Sequence, residues 1–202
     1  MEERDLELVQ EHARAGALAR EKFFSRYASA LTSISKAMAR SIQAQGKVLF
    51  CGNGGSAADA QHLAAEFVNR FLMERPPLPA IALTTDTSVI TAVSNDYSFD
   101  QVFVKQVMAL GRPGDILVGI STSGGSANVN LALSRAKSQD MITIGLSGKS
   151  GGEMQEHCDH LLTVEDSSTP VIQEIHIAAG HVICRLVDYY LFQAASPNEL
   201  GT

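Results

Sequence analysis

Six residues recur in nearly the same chemical sense at two places in this chain. Cys51-Gly52-Asn53-Gly54-Gly55-Ser56 follows the apolar run Val48-Leu49-Phe50, and Ser121-Thr122-Ser123-Gly124-Gly125-Ser126 follows the run Ile116 to Ile120. Each pattern reads as a strand, a Gly/Ser loop and a helix start, where free backbone N–H groups and the positive end of a helix dipole gather. Glycines let such a backbone reach φ > 0 and approach a ligand closely, while Ser and Thr hydroxyls add donors without the bulk of a lysine. The chemistry is anion binding, of phosphate in particular. A single loop of this kind can be a plain turn that needs glycine and an N-cap serine. Two in one sheet, the second holding Ser121, Thr122, Ser123 and Ser126, favour phosphate. Neither continues into Gly-Lys-Ser/Thr and neither is GxGxxG, so the usual marks of nucleotide hydrolysis and hydride transfer are missing and a phosphosugar fits best.

Groups able to move a proton stand nearby in sequence. His62 and Glu66 are at i and i+4 on the helix leaving the first loop, so they share one helical face, one as a base and the other as a partner or metal ligand. A solvated helix face would look the same, but the flanking Leu63, Ala64, Ala65 and Phe67 predict a largely covered one. Near the end of the chain Gln173, Glu174, His176 and His181 interrupt an otherwise apolar helical pattern. His176 alone reads as a buried histidine with a backbone partner. Gln173 and His181 are eight positions apart, which means about 12 Å of rise and roughly 80° of rotation on an ideal helix. They share one ion only if the helix is irregular at its start or a second chain takes part. Asn95-Asp96 is a polar pair near a helix end that also fits a plain turn. His157-Cys158-Asp159-His160 has metal-like residue types at a spacing that matches no common zinc pattern, and reads as a surface turn.

Alternating elements must position these groups. Five short runs rich in Val, Ile and Leu, Val48–Cys51, Ala80–Thr84, Ile116–Ile120, Ile142–Leu146 and Leu161–Val164, are separated by helical patterns of crossover length. Continuous apolar strands in a βαβ alternation predict a parallel sheet covered on both faces, with ligands at the carboxyl ends of its strands. Residues 6–45 lack proline and carry apolar residues at helical spacing, Leu6, Val9 and Ala13, then Phe23, Phe24, Tyr27, Leu31, Ile34, Met38 and Ile42. This predicts one long helix, or two joined near Ala15-Gly16, whose far end packs on another subunit. A last helix is predicted over residues 170–192, with Thr169 as its cap, Pro170 at its first position and Pro197 beyond its end.

Composition sets the outer limits. With 202 residues, 45% hydrophobic, the chain is long enough for one well-buried core, and one domain over residues 1–202 is predicted, with 1–45 as a helical arm and 46–195 as the α/β core. A net charge of -6 with no basic run argues against a nucleic-acid groove, so an anion must be held by local loops. Cys51, Cys158 and Cys184 follow no disulfide framework, and neither a signal peptide nor a membrane span is visible, which predicts a soluble cytoplasmic protein.

Taken together, Cys51 to Ser56, Ala60-Gln-His-Leu-Ala-Ala-Glu66, Arg75-Pro-Pro-Leu-Pro-Ala-Ile-Ala-Leu83, Asn95-Asp96, Gly114 to Ser126 and Ile172-Gln-Glu-Ile-His176 resemble the sugar-isomerase (SIS) family over almost the whole chain. The likeness is greatest to its members that isomerise sedoheptulose 7-phosphate. The resemblance implies a flavodoxin-like five-stranded parallel sheet with helices on both faces, and a homotetramer with active sites between subunits. It implies conversion of sedoheptulose 7-phosphate to D-glycero-D-manno-heptose 7-phosphate for bacterial surface polysaccharide, with no nucleic acid or membrane as partner. By position, it also makes Glu66 and His181 the acid/base pair, and His62, Glu66, Gln173 and His181 the ligands of one zinc per subunit. Asn53, Gly54, Gly55, Ser56, Glu66, Asn95, Asp96, Ser121, Thr122, Ser123, Ser126 and Gln173 become the sugar-phosphate contacts. The chain departs from the family at Gly125, where Asn is common, and at Thr169-Pro170-Val171, where an Arg commonly precedes Ile-Gln. The middle segment, residues 69–86, also resembles non-catalytic relatives that bind the bacterial replication initiator. Those relatives lack the acid/base residues that this chain keeps at Glu66 and His181. An isomerase of a different phosphosugar would carry the same loops. So would a phosphosugar-sensing regulator, although such regulators usually append a helix-turn-helix domain.

Overall fold

Valine, isoleucine and leucine fill both sides of the central strands, and such strands are stable only with a helical layer on each face. The computed structural model describes residues 2–194 and has that arrangement. Its helices are α1 (Glu2–Gln43), α2 (Gly55–Val68), α3 (Thr87–Asp96), α4 (Val102–Leu110), α5 (Ala127–Lys137) and α6 (Thr169–Asp188). Its strands are β1 (Val48–Gly52), β2 (Ala80–Ala82), β3 (Ile116–Ser121), β4 (Ile142–Gly148) and β5 (His160–Val164), all parallel in the order β2-β1-β3-β4-β5. This is the flavodoxin-like order, in which the direction of winding reverses between β1 and β3.

Side-chain alternation divides the core in two. Val48 and Phe50 of β1 point to the face covered by α1, α2 and α6, whereas Leu49 and Cys51 point to the face covered by α4 and α5. Every residue of β1 and β3 is buried. The edge strand β2 is shorter than the sequence predicts. It stops at Ala82 rather than reaching Thr84, because with one neighbour the chain turns away after the Leu83 N–H donates to the Phe50 carbonyl at 2.9 Å.

Helix α1 is a single helix that passes through Ala15-Gly16 without a break. Phe23, Leu31, Ile34, Met38 and Ile42 bury its second half in the core, each contributing about 1.5–3 kcal/mol of burial. Its first half projects: Leu6 and Val9 are exposed, Val9 by 69%. Helix α6 starts one residue earlier than predicted, so Ser168 rather than Thr169 stands at the cap position, and it continues past Asp188 as a π-helical turn, Tyr189–Gln193. Pro197, expected beyond this end, lies outside the described residues. Among the described residues no helix is long and apolar enough to cross a membrane.

One buried cation ties together the two helices that flank the candidate chemistry. The Arg75 side chain is 2% exposed, and its Nε donates to Asp188 Oδ1 at 2.9 Å, at the end of α6. Its Nη2 and Nη1 donate to the carbonyls of Glu66 (2.8 Å) and Phe67 (2.7 Å), at the end of α2. A cation suits this place, since unpaired carbonyls and the negative end of the dipole meet there. Arg75→Met leaves Asp188 buried without a partner, and a loss of about 3–5 kcal/mol in denaturant unfolding is expected. Adding Asp188→Leu should recover much of that loss, since no charge is then left buried.

Candidate active site

Where the winding reverses, the chain leaves β1 toward one face and β3 toward the other, and the two Gly/Ser loops open a crevice between them. Asn53 and Asn128 bridge it by a reciprocal amide pair, Nδ2 to Oδ1 at 2.8 Å one way and 2.9 Å the other. On the second loop, Ser121 Oγ lies 2.8 Å from Ser126 Oγ and 3.4 Å from Ser123 Oγ, and Ser123 Oγ accepts the Gly125 N–H at 3.1 Å. Thr122 is half-buried between them, and Ser56 is buried in the first turn of α2. No side chain caps α2 or α5: the residue before α2 is Gly54, and the hydroxyl of Ser126, before α5, is turned to Ser121 instead. Both helix starts therefore present uncapped N–H groups to the crevice, as an anion site requires.

Helices α2 and α6 both start at this edge and run side by side. A Cβ on Gly55 would overlap the Gln173 amide, and a Cβ on Gly180 would overlap the Leu63 side chain, so both glycines are where the two helices touch. Seven residues beyond Gly55 on α2 rise about 10.5 Å and eight beyond Gln173 on α6 about 12 Å, which brings His62 opposite His181. Their Nε2 atoms are 2.9 Å apart, and His62 Nε2 lies 3.2 Å from Glu66 Oε1. Of the two ways that the spacing on α6 leaves open for a shared ion, an irregular start to the helix is excluded. The helix is regular, Gln173 stands at the mouth of the first loop, and His181 serves a separate cluster two turns further on.

One ligand atom from each of His62, Glu66 and His181 lies within 4.8 Å of the others. Two imidazoles and a carboxylate are a donor set suited to zinc or a similar transition metal. The geometry fits a cation for a further reason: one Nε2–H cannot serve both Glu66 and the facing Nε2, so three lone-pair donors converge with too few protons among them. Burial, then the neighbouring His62, holds the His181 pKa below the usual histidine value, with Glu66 opposing. His181 is thus a neutral imidazole at pH 7, and Phe71 stacks on it at 5.5 Å and 25°. The predicted cover of this face is corrected. The stripe that α2 buries is Ala60, Leu63, Ala64 and Phe67, while the His62 and Glu66 side chains lie on its edge, 49% and 21% exposed. Helix α6 covers them from one side.

Asn95 and Asp96 are brought to neither loop by a hydrogen bond; they are the last two residues of α3, exposed, with Asn95 Nδ2 donating to Asp96 Oδ1 at 2.9 Å. His176 is fully buried, and its Nε2 lies 2.9 Å from the Ser147 carbonyl at the end of β4. The His157-Cys158-Asp159-His160 cluster is structural: the Asp159 carboxylate accepts from the Thr143 N–H and hydroxyl. Burial raises the pKa of all three free thiols, so none is a ready nucleophile.

Sequence reasoning passes over three residues here. Asn128 is one of two buried asparagines in the first turn of α5, a type disfavoured in helices, and that pairing is the available signal. Asp59, one turn before His62, has an enclosed Oδ2 without a hydrogen-bond partner among the described residues and a pKa raised by burial. Phe71 lies in an irregular stretch after α2 with no periodicity to mark it.

The chain and its fold are similar to those of known proteins. The SIS domain family matches residues 12–148. The phosphoheptose isomerase of Maridesulfovibrio salexigens is 58% identical over 199 residues, covering 98% of this chain and 97% of its own. Among solved structures, a phosphoheptose isomerase from Francisella tularensis superposes with a TM-score of 0.88 at 41% identity, and that from Neisseria gonorrhoeae with 0.85 at 46%. Each covers 91% of this chain and 98% of its own.

His176 gives this region a measurable pH dependence. Burial pushes its pKa down from 6.5 to about 4, against the opposing bond to Ser147. Between those values the unfolded chain binds the proton and the folded one does not, so stability is full above pH 6.5 and falls as pH drops toward 4. Denaturant unfolding from pH 7 to pH 4 should show a loss of order 3 kcal/mol from this residue, absent from the slope of His176→Gln.

Proposed function

This chain belongs to the SIS domain family, and from that premise we propose that it is an aldose–ketose isomerase of sedoheptulose 7-phosphate. The product is D-glycero-D-manno-heptose 7-phosphate, a precursor for surface polysaccharide. The observation that carries the proposal is the meeting of His62, Glu66 and His181 along α2 from two uncapped Gly/Ser loops. Relatives named phosphoheptose isomerase at 58% identity support it.

The chain's residues divide the work by position. Uncapped N–H groups and the hydroxyls of Ser121, Thr122, Ser123 and Ser126 hold the phosphate. Asn53, Gly54, Gly55, Ser56 and Gln173 meet the sugar beside them, and Asn95 and Asp96 close on it from α3. Anchoring one end of the open-chain ketose converts the proton transfer at the other into an intramolecular event. Glu66 takes the proton from C1 as the C1–C2 double bond forms and the C2 carbonyl oxygen gains a proton; it then returns a proton to C2 while O1 loses its own and becomes the aldehyde oxygen. His181, neutral, donates a ring N–H to the oxygens as charge develops on them, in the manner of a neutral electrophilic histidine. His62, Glu66 and His181 would hold one zinc ion per subunit, which when bound would polarise the sugar oxygens, and Gln173 would join them only from a neighbouring subunit.

The active unit is a homotetramer in the cytoplasm. Exposed Leu6, Val9 and Leu18 on the projecting half of α1 and the half-exposed His62 support a site completed by a neighbouring subunit, and three unpaired thiols suit a reducing compartment. Residues 1–45 serve this assembly as an arm of the one domain. In Glu66→Gln the shape is kept and the base is lost. Turnover of sedoheptulose 7-phosphate should fall by about 10²–10⁴-fold, while inorganic phosphate binds with wild-type affinity in calorimetry. An active Glu66→Gln enzyme would refute the assignment.

A further inference from the structure

Two asparagines two positions apart at the start of α5 are buried, Asn128 and Asn130, and neither belongs to the phosphate loop itself. Burying an amide is unfavourable unless its polar atoms are bonded, so each buried amide marks a contact that the local structure depends on. Asn130 Nδ2 donates to the Gly124 carbonyl at 3.1 Å and so holds the second loop to its own helix. Asn128, 3% exposed, reaches across the crevice to the other loop, where its amide and that of Asn53 exchange two hydrogen bonds. Asn53 is partly exposed and lines a cavity of about 130 Å³ together with Gly54, Thr84, Ile90 and Phe99.

We propose that Asn128 is a positioning residue for the isomerase site, acting through Asn53 to fix the first loop relative to the phosphate-binding second loop. The proposal rests on the isomerase reading given above. The geometry accounts for the choice of residue. An amide can both donate to and accept from an identical amide, so Asn53 and Asn128 each give one hydrogen bond and take one, and the pair persists if both groups turn over together. Aspartate, serine or alanine cannot do this. The pair sits at the point where β1 and β3 part, and among the described residues no backbone hydrogen bond joins the loops that leave them. Without it the separation between the phosphate contacts and the sugar contacts is set only by the strands beneath.

The test is a double-mutant cycle of Asn53→Ala, Asn128→Ala and the double variant, assayed for kcat/KM on sedoheptulose 7-phosphate, with hydrogen exchange of a peptide covering residues 52–57 in the ligand-free protein. Asn128→Ala is expected to lower kcat/KM about tenfold or more, and to add less than about twofold when Asn53 is already alanine. Exchange in the first loop should speed up alike in both single variants, while inorganic phosphate affinity is unchanged. Should Asn128→Ala fail to fold, Asn128→Asp, which keeps one of the two bonds, takes its place in the cycle, with a smaller loss expected. Wild-type kcat/KM in a folded Asn128 variant, losses that multiply in the double variant, or unaltered exchange in the first loop would overturn the proposal. A wild-type protein that turns over no sedoheptulose 7-phosphate would refute the isomerase reading, and the exchange data alone would then decide whether Asn128 couples the loops.

Discussion

The close parallel packing of α2 on α6 is the contact from which the rest of the site follows. It needs small residues at two heights, Gly55 against the Gln173 amide and Gly180 against Leu63, and a clamp at the far end, Arg75 on Asp188 and on the last carbonyls of α2. Both helices start at the same edge of the sheet, so residues at matching heights face one another. One height meets the first Gly/Ser loop and the other brings His62, Glu66 and His181 together. Larger side chains at Gly55 or Gly180 would spread the helices and dissolve that convergence.

The sheet supplies the second requirement. Reversal of winding between β1 and β3 sends their following helices to opposite faces, and the crevice this leaves collects the N-termini of α2 and α5. An anion held there by backbone donors needs no lysine or arginine, which agrees with an acidic chain that handles a phosphate. The roles are divided along a line: binding at the loops, proton transfer along α2, with the length of a sugar chain between them.

Much of this is legible in the sequence, for reasons that differ by residue. The strands can be read because central strands of a parallel sheet are apolar on both sides, and the loops because Gly and Ser cluster where the backbone must approach a ligand. His62 and Glu66 can be placed on one face from their spacing alone. What escapes depends on long-range packing. Nothing local says that Asn128 lies opposite Asn53, 75 positions earlier, or that Phe71 stacks on His181. The covered face predicted around His62 fails because Leu63, Ala64 and Phe67, at 100° per residue, belong to the adjacent buried stripe rather than to the pair's own, and Ala65 is exposed. The separation of Gln173 from His181 is too long for a single contact, and only the partner helix shows what each one faces.

The central claim is that a carboxylate on α2 carries a proton between two carbons of a phosphosugar. The most direct measurement is turnover of sedoheptulose 7-phosphate in D₂O with the position of deuterium in the aldose product read by NMR. Glu66 is partly exposed, so a proton it removes exchanges with solvent before it is returned, and deuterium at C2 of the product is predicted. Solvent deuterium entering C2 at the wild-type rate in Glu66→Gln would contradict the account.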